Sequence, residues 1–264
     1  RAAGELIAAE STAERLVAQW TRRALRDQAE PGLHKIVILN PGATRFAGLC
    51  EHEPFFEGRP PAEFALLSDQ NLPVPHQVIA PRCNASLPRR ILFPAAVPAG
   101  LWRIVRVVPG ESAAADVADP PRADADGLRN ERVRAQLDGP LRVGKWAVEL
   151  QVFDDPTDTW SHSAGNRYDL DKAGEFDLAG GWEAVEHGPL RAAARREARF
   201  GDSRLGARVE IAAGAACVRL RLAVTWAQRR QMLRLVIGGA EVGHRVDLVS
   251  GGPLPRELDG REYP

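Results

Sequence analysis

Lysine is scarce in this chain of 264 residues. It occurs only at positions 35, 145 and 172, so arginine supplies nearly all of the 35 basic residues, a bias that we attribute to genomic codon usage. The 35 acidic residues balance them, and the formal net charge is zero. Because no basic stripe is present, the composition argues against nucleic acid or an anionic membrane surface as a partner.

The sequence also has too few cysteines for a disulfide framework. Cys50, Cys83 and Cys217 are odd in number and far apart, which excludes both a set of disulfides and a C-x-x-C metal knuckle. A reducing, cytoplasmic location is therefore predicted. No apolar run approaches the length of a membrane span and the start does not resemble a signal peptide, so no membrane partner is expected.

One polar stretch, DDPTDTWSHS (154–163), matches neither a core helix nor a core strand. Proline and the short polar side chains predict a loop, and loops carry function more often than they carry fold. An indole beside carboxylates suits sugar recognition, since sugar C–H surface stacks on the ring and hydroxyls donate to the carboxylates. The alternative is a solvated turn with Trp160 as a buried anchor. The candidate sugar-binding residues are Asp155, Asp158, Trp160, His162 and Arg167.

Hydrophobic spacing divides the chain into four segments. In residues 1–32, Leu6, Leu16 and Trp20 follow the spacing of an amphipathic helix, which needs another surface to bury its apolar stripe. Residues 110–127 are rich in Ala, Asp and Pro and poor in large apolar side chains, which predicts a flexible linker. Arg1 in place of methionine indicates a fragment or a processed product.

The segments 33–109 and 128–264 have the pattern of strands separated by Pro- and Gly-bearing turns. The predicted strands of the first are KIVIL (35–39), LPVPHQVI (72–79), RRILF (89–93) and LWRIVRVV (101–108). The predicted strands of the second include 128–137, 148–153 and 217–225. The run PLRAAARREARF (189–200) has the composition of a helix but also alternates, so its residues leave helix and strand both open.

Several collinear pieces resemble the C-terminal half of the glycoside hydrolase family 38 α-mannosidases. They are IVILNPGATRFAG (36–48), LPVPHQVI (72–79), PAGLWRIVRV (98–107), LRNERVRAQLD (128–138), LQVFDDPTDTWSHS (150–163), EHGPLRAAARREARFGDSRL (186–205) and WAQRRQMLRLVI (226–237). The resemblance implies a mainly β fold. Residues 1–32 would close a helical domain, 33–109 would form a small β-sandwich, and 128–264 a larger galactose-mutarotase-like antiparallel β-supersandwich, incomplete at its C-terminus. It also implies that 189–200 is a strand and that Trp226 lies in the core.

The resemblance further implies a retaining α-mannosidase as the parent enzyme. In that family the nucleophile, the acid/base and the zinc that orients the sugar belong to an N-terminal domain absent from this chain. We therefore expect no catalytic residue, no metal ligand and no cofactor here. The expected partners are a mannose-containing oligosaccharide and the missing catalytic and helical domains, and a homo-oligomer is compatible with the sequence.

An independent sugar-handling module is the alternative function. It would be a carbohydrate-binding domain or a mutarotase-like aldose epimerase, which needs a histidine acid and a carboxylate base at the anomeric carbon. His162 with Glu186 or His187 is the pairing that the sequence offers. Cys50 and His52 have metal-capable side chains, but they are interpreted as part of a surface turn.

Overall fold

The chain is mainly β, with one helix and several antiparallel sheets. In the computed structural model the described residues are 2–24, 34–54, 63–81, 90–111, 116–155, 170–239, 245–249 and 252–256. They divide into two compact units, Arg1–Asp116 and Val117–Pro264. This confirms the predicted fold class at the level of a β-sandwich architecture.

The first unit contains a helix and two small sheets. Its elements are α1 (Ala2–Ala24), β1 (His34–Leu39), β2 (Phe46–His52), β3 (Phe64–Ser68), β4 (Pro73–Val74), β5 (Gln77–Ile79), β6 (Arg90–Val97) and β7 (Trp102–Pro109). One sheet has the strand order β1-β7-β3-β4 and the other β2-β6-β5. Alternate side chains of both sheets, among them Leu66, Phe93 and Val105, meet in one buried cluster. The unit is a small sandwich whose core lies between its two sheets.

The second unit is a larger sandwich. Its strands are β8 (Arg122–Asp124), β9 (Gly127–Arg129), β10 (Arg134–Gln136), β11 (Arg142–Val143), β12 (Trp146–Asp154), β13 (Lys172–Phe176), β14 (Glu183–His187), β15 (Arg191–Phe200), β16 (Ser203–Ala212), β17 (Arg219–Thr225), β18 (Gln231–Gly238), β19 (Arg245–Val249) and β20 (Gly252–Arg256). One sheet runs β13-β12-β11-β10-β9-β8, with β18 added beside β12, and the other runs β14-β15-β16-β17. β19 and β20 form a separate hairpin.

Strand β12 has different partners on its two sides. It pairs with β18 along its length, from Ala147 opposite Gly238 to Asp154 opposite Gln231. On its other side it pairs first with β11 and then with β13, where the register shifts between Val152 and Phe153.

Two apolar clusters fill the space between the sheets of the second unit. Leu128 and Leu141 meet Val209 and Ile211 in one cluster, while residues of β12 and β13 meet residues of β15 and β16 in the other. The small Ala192 and Ala194 of β15 let the sheets approach closely, and both are almost fully buried. Every second residue of β15 faces this core. The period of two therefore decides for a strand, although the composition of the segment favours a helix. The strand implied by the resemblance for 189–200 is thus confirmed.

Helix α1 has an exposed apolar stripe. The helix spans Ala2–Ala24, and residues 25–33 lie outside the described part. Trp20 is 64% exposed and Leu16 47%. No described surface covers this stripe, so its docking on another surface stays a prediction.

Two predicted strands are each divided in two. The run 72–79 forms β4 and β5, which belong to different sheets. The run 128–137 is a hairpin of β9 and β10, since the Asn130 side-chain oxygen accepts hydrogen bonds from the N–H groups of Arg132 and Val133 and so closes a turn.

The predicted flexible linker at 110–127 is wrong for its described C-terminal part. The Asp119 carbonyl accepts a hydrogen bond from Gly214, and its carboxylate accepts one from the N–H of Glu131. β8 then pairs with β9, and Asp124 caps the turn between them. Backbone and carboxylate hydrogen bonds thus order a segment that has little apolar surface to bury.

Candidate functional site

The predicted sugar-binding loop is described only at its base. Asp158, Trp160, His162 and Arg167 lie outside the described residues, and Asp155 is the one candidate with a described position. Asp155 is partly buried directly after β12. Its main-chain N–H donates to the Arg230 carbonyl at 2.8 Å, which places Asp155 beside the turn between β17 and β18.

Neighbouring residues hold this base from three elements. The N–H of Asp154 donates to the carbonyl of Asp171, and the Asp154 carboxylate accepts a 2.9 Å hydrogen bond from the Gln231 side chain. Arg230 has a φ of 54°, a left-handed conformation that is uncommon for a residue other than glycine. The strained turn presents its carbonyl to Asp155, so the described residues Asp154, Asp155 and Asp171 are held by main-chain hydrogen bonds.

The turn itself is tied to the adjacent hairpin. Ser203, which is fully buried, accepts hydrogen bonds from the N–H of Ala227 and the side chain of Gln228. Gln228 also donates to the carbonyl of Phe200. Trp226 packs beneath, with its ring centroid 6.5 Å from that of Phe176, which confirms its predicted place in the core. Hydrogen bonds and ring packing therefore tie the turn between β17 and β18 to the hairpin of β15 and β16.

A buried ion network lies on the face of β14, β15 and β16 that points away from the core. Arg191 donates to both oxygens of Glu186, at 2.6 and 2.9 Å, and the two side chains are 6% and 8% exposed. Arg208 joins them by donating to Glu186 at 2.5 Å and to Glu210 at 2.7 Å. The sequence analysis does not predict this network. The alternation of Arg and Glu with the core alanines could have indicated it, because such a pattern places charged side chains together on the face opposite the core.

The network favours the ionised form of Glu210. Burial opposes ionisation of Glu210, but the hydrogen bond from Arg208 and the charges of Arg191 and Arg221 outweigh it and lower the pKa of that carboxyl. Glu186 accepts bonds from two arginines, so its oxygens are already engaged. A carboxylate held in this way is poorly placed to act as a general base, which weakens the epimerase pairing of His162 with Glu186.

The histidines of the first unit are partly buried. The rings of His34 and His52 lie 5.8 Å apart, and burial together with the charge of His34 lowers the pKa of His52. His76 stacks on Phe64 at 5.0 Å, and burial lowers its pKa as well. Cys50 faces the core of the sandwich, where burial raises the pKa of its thiol.

Among the described residues, no three His, Cys, Asp or Glu side chains come close enough to hold a metal ion. The described donors therefore do not fit a zinc site. The described helix is not long and apolar enough to cross a membrane.

The fold of the chain matches part of larger solved structures. An alpha-mannosidase from Enterococcus faecalis V583 superposes with a TM-score of 0.67 at 9% sequence identity, over 94% of this chain and 37% of that chain. The present chain therefore has the fold of a segment of an α-mannosidase. A protein in the glycosyl hydrolase family 38 from Enterococcus faecalis matches with a TM-score of 0.61 at 8% identity, over 82% of this chain and 34% of that chain.

These matches agree with the resemblance found in the sequence motifs, at the level of the fold. The chain spans about a third of the length of the structures it matches. No protein-family model and no curated protein matches the sequence. Because identities this low establish a shared fold and leave the chemistry open, function has to be argued from the residues.

Proposed function

We propose that this chain is the non-catalytic β region of a retaining α-mannosidase that acts on mannose-containing oligosaccharides. The observation that carries the proposal is the superposition of 94% of the chain on 37% of an α-mannosidase. The collinear motifs from 36–48 to 226–237 support it independently of the superposition. In this proposal the nucleophile, the acid/base and the zinc belong to a separate catalytic domain.

The loop at 154–163 would contribute to the rim of the sugar site. Asp155, Asp158, Trp160, His162 and Arg167 are the proposed sugar contacts, with the indole as stacking platform and the carboxylates as acceptors for hydroxyls. The anchored base at Asp154 and Asp155 supports this role, because a sugar-binding loop has to start from a rigid element. The other role of the chain would be to stabilise the catalytic domain.

An activity assay separates the non-catalytic role from the alternatives. The chain alone, supplied with zinc, is expected to leave an aryl α-mannoside unhydrolysed, while an α-mannosidase assayed in parallel hydrolyses it. It is also expected to leave glucose and galactose mutarotation at the uncatalysed rate. Hydrolysis would contradict the absence of catalytic groups, and faster mutarotation would favour the epimerase.

Sugar binding tests the other half of the proposal. Saturation-transfer NMR with methyl α-mannoside and methyl α-glucoside is expected to detect weak binding that prefers the mannoside and is lost in Trp160→Ala. A matched Trp102→Ala variant changes an exposed tryptophan of the first unit and should retain the signal. Equal signals from both sugars, or no change in Trp160→Ala, would count against a sugar-binding loop.

A further inference from the structure

A polar cavity of about 320 Å³ lies on the second unit, where the segment before β8 passes the turn between β9 and β10. Its described lining consists of Asp119, Pro120, Arg122, Arg129, Asn130 and Glu131. The Asn130 amide donates to the carbonyls of Ala212 and Ala215, which ties this wall to the end of β16 and the turn after it. Cavities of about 300 Å³ and more are the size of small-molecule sites, so this one has room for a ligand of the size of a monosaccharide.

Two arginines form one wall of the cavity. Arg122 on β8 lies directly opposite Arg129 on β9, on the sheet face that points away from the core. Arg129 pairs with Asp124 at 3.1 Å, whereas Arg122 is exposed and has no ion pair with a described residue. Like charges directly opposite each other on a sheet are unfavourable, and an anion between them offsets this cost. Because the guanidinium fork matches a carboxylate, this wall fits the acid group of a ligand.

The opposite charge comes from Asp119 and Glu131. Asp119 has a φ of 51°, a left-handed conformation, and its Oδ1 accepts a 2.7 Å hydrogen bond from the N–H of Glu131. Its Oδ2 is buried without a hydrogen-bond partner among the described residues. Buried polar atoms are nearly always paired, and strained backbone is typical of sites that bind ligands. A ligand donor that reaches Oδ2 through a small shift of the wall would satisfy this oxygen, which has no other hydrogen bond to lose.

The two walls together select a ligand with an acid group and uncharged donors. An ammonium group carries three N–H donors and a charge that Arg122 and Arg129 would repel, whereas a hydroxyl donates one hydrogen bond without a charge. The exposed carboxylate of Glu131 can accept a second hydroxyl, and the ring of Pro120 offers an apolar surface to C–H groups. Several hydroxyls and one acid group on a small ring are the features of a sugar acid.

We propose that this cavity binds a sugar acid, that is, a monosaccharide with one carboxylate. Arg122 and Arg129 would hold the acid group. Asp119 and Glu131 would accept hydrogen bonds from the hydroxyls. None of the described lining residues belongs to the predicted loop at 154–163, and the proposal does not depend on the proposed function, because it rests on the residues of this cavity alone.

Saturation-transfer NMR titration with glucuronate tests the proposal, with glucose and acetate as probes of its two halves. Glucuronate is expected to bind, and glucose and acetate at least about tenfold more weakly, because each of them engages one wall alone. Arg122→Gln and Asp119→Asn should each weaken glucuronate binding about tenfold or more. Asparagine keeps the shape of Asp119 and tolerates its left-handed φ. Arg142→Gln changes an exposed arginine of the same sheet outside the described cavity lining and should leave the Kd unchanged.

Thermal unfolding identifies the variants that are folded, and the exposed Arg122→Gln decides if Asp119→Asn is not. A wild-type chain that binds no glucuronate would overturn the proposal. Acetate binding as tightly as glucuronate would mean an adventitious ion only, and glucose binding as tightly would remove the role of the arginines; either result overturns it. Tighter binding of glycine or serine would assign the cavity to a zwitterion instead. Wild-type affinity in folded Arg122→Gln would place the bound sugar acid elsewhere on the chain and also overturn the proposal.

Discussion

The guanidinium of Arg191 binds both carboxylate oxygens of Glu186, through Nε at 2.6 Å and Nη2 at 2.9 Å. The pair lies on the face of the sheet that points away from the apolar core, yet both side chains are almost fully buried. Buried charges of this kind are tolerated when each has its partner, and they become costly when one partner is removed.

Replacing Glu186 by Gln should therefore destabilise the chain strongly. The variant keeps the shape of the side chain but removes the negative charge that Arg191 and Arg208 share. The buried guanidinium of Arg191 then loses its bidentate partner and keeps only the longer 4.0 Å approach to Glu210 among its ion pairs with described residues. The expected loss in the free energy of unfolding is about 3–5 kcal/mol, measured by urea denaturation. Glu183→Gln is the matched control: its pair with Arg195 is exposed, and the loss should stay below about 1 kcal/mol. Equal losses in the two variants would refute a stabilising role for the buried pair.

The first unit should lose stability at mildly acidic pH. The pKa of His52 is lowered in the folded chain by burial and by His34, so unfolding takes up a proton. The contribution of His52 to the free energy of unfolding is fully present above about pH 6.5, where the imidazole is neutral. It decreases as the pH falls towards the lowered pKa of the folded chain. His52→Gln should flatten this dependence, measured by hydrogen exchange of β1 and β6 at several pH values. The exposed His187→Gln of the second unit should leave it unchanged; an unaltered slope in His52→Gln would contradict the assignment.

Gly127→Ala should disrupt the hairpin of β9 and β10. Gly127 has a φ of 150°, which side chains rarely adopt, and a Cβ at this position would overlap the carbonyl of Ala135. The strained backbone alone costs about 1–3 kcal/mol. Thermal unfolding should show a clear fall in Tm, whereas Gly139→Ala, where a Cβ meets no atom within 4 Å, should change Tm little. A normal Tm for Gly127→Ala would mean that the turn relaxes without cost.

In an α-mannosidase that carries this region, Asp158→Asn and Trp160→Ala should impair turnover without unfolding the protein. The loss of one charge-assisted hydrogen bond costs about 1.5–3 kcal/mol, or roughly a ten- to hundredfold fall in kcat/KM where it acts in the transition state. The measurement is kcat/KM on an aryl α-mannoside together with Tm. Wild-type kcat/KM in both variants, or a lowered Tm in Trp160→Ala, would make the loop structural.

The sequence predicted elements whose cause is local and missed those that depend on distant partners. The period of two in 217–225 was readable because Leu220 and Leu222 alternate with Arg219 and Arg221, and β17 indeed buries the first pair more than the second. The turn at Asn130 also has a local cause that the sequence prediction did not use. The Asn130 side chain closes a hairpin where a single strand is predicted.

The ion network could not be predicted in the same way. Glu186 and Arg208 are 22 residues apart, and only the register of β14, β15 and β16 brings them together. The ordering of 116–127 has a similar cause, because Asp119 is held by Gly214 from a distant turn. For the candidate loop, sugar binding stays a prediction from the sequence, while the anchoring of its base by Arg230 and Gln231 emerged from the fold.

The pairing of β12 with β18 bears on how the second unit reaches its folded state. Val148 lies opposite Ile237, so this central strand pairs with a strand that is far away in the sequence and is synthesised much later. Closing such a long loop is entropically unfavourable before the contacts form, and sheets with distant pairings fold slowly. During synthesis, β12 therefore presents an unpaired apolar edge until Gly238 has left the ribosome. Folding of this unit is expected to depend on protection from aggregation during that interval.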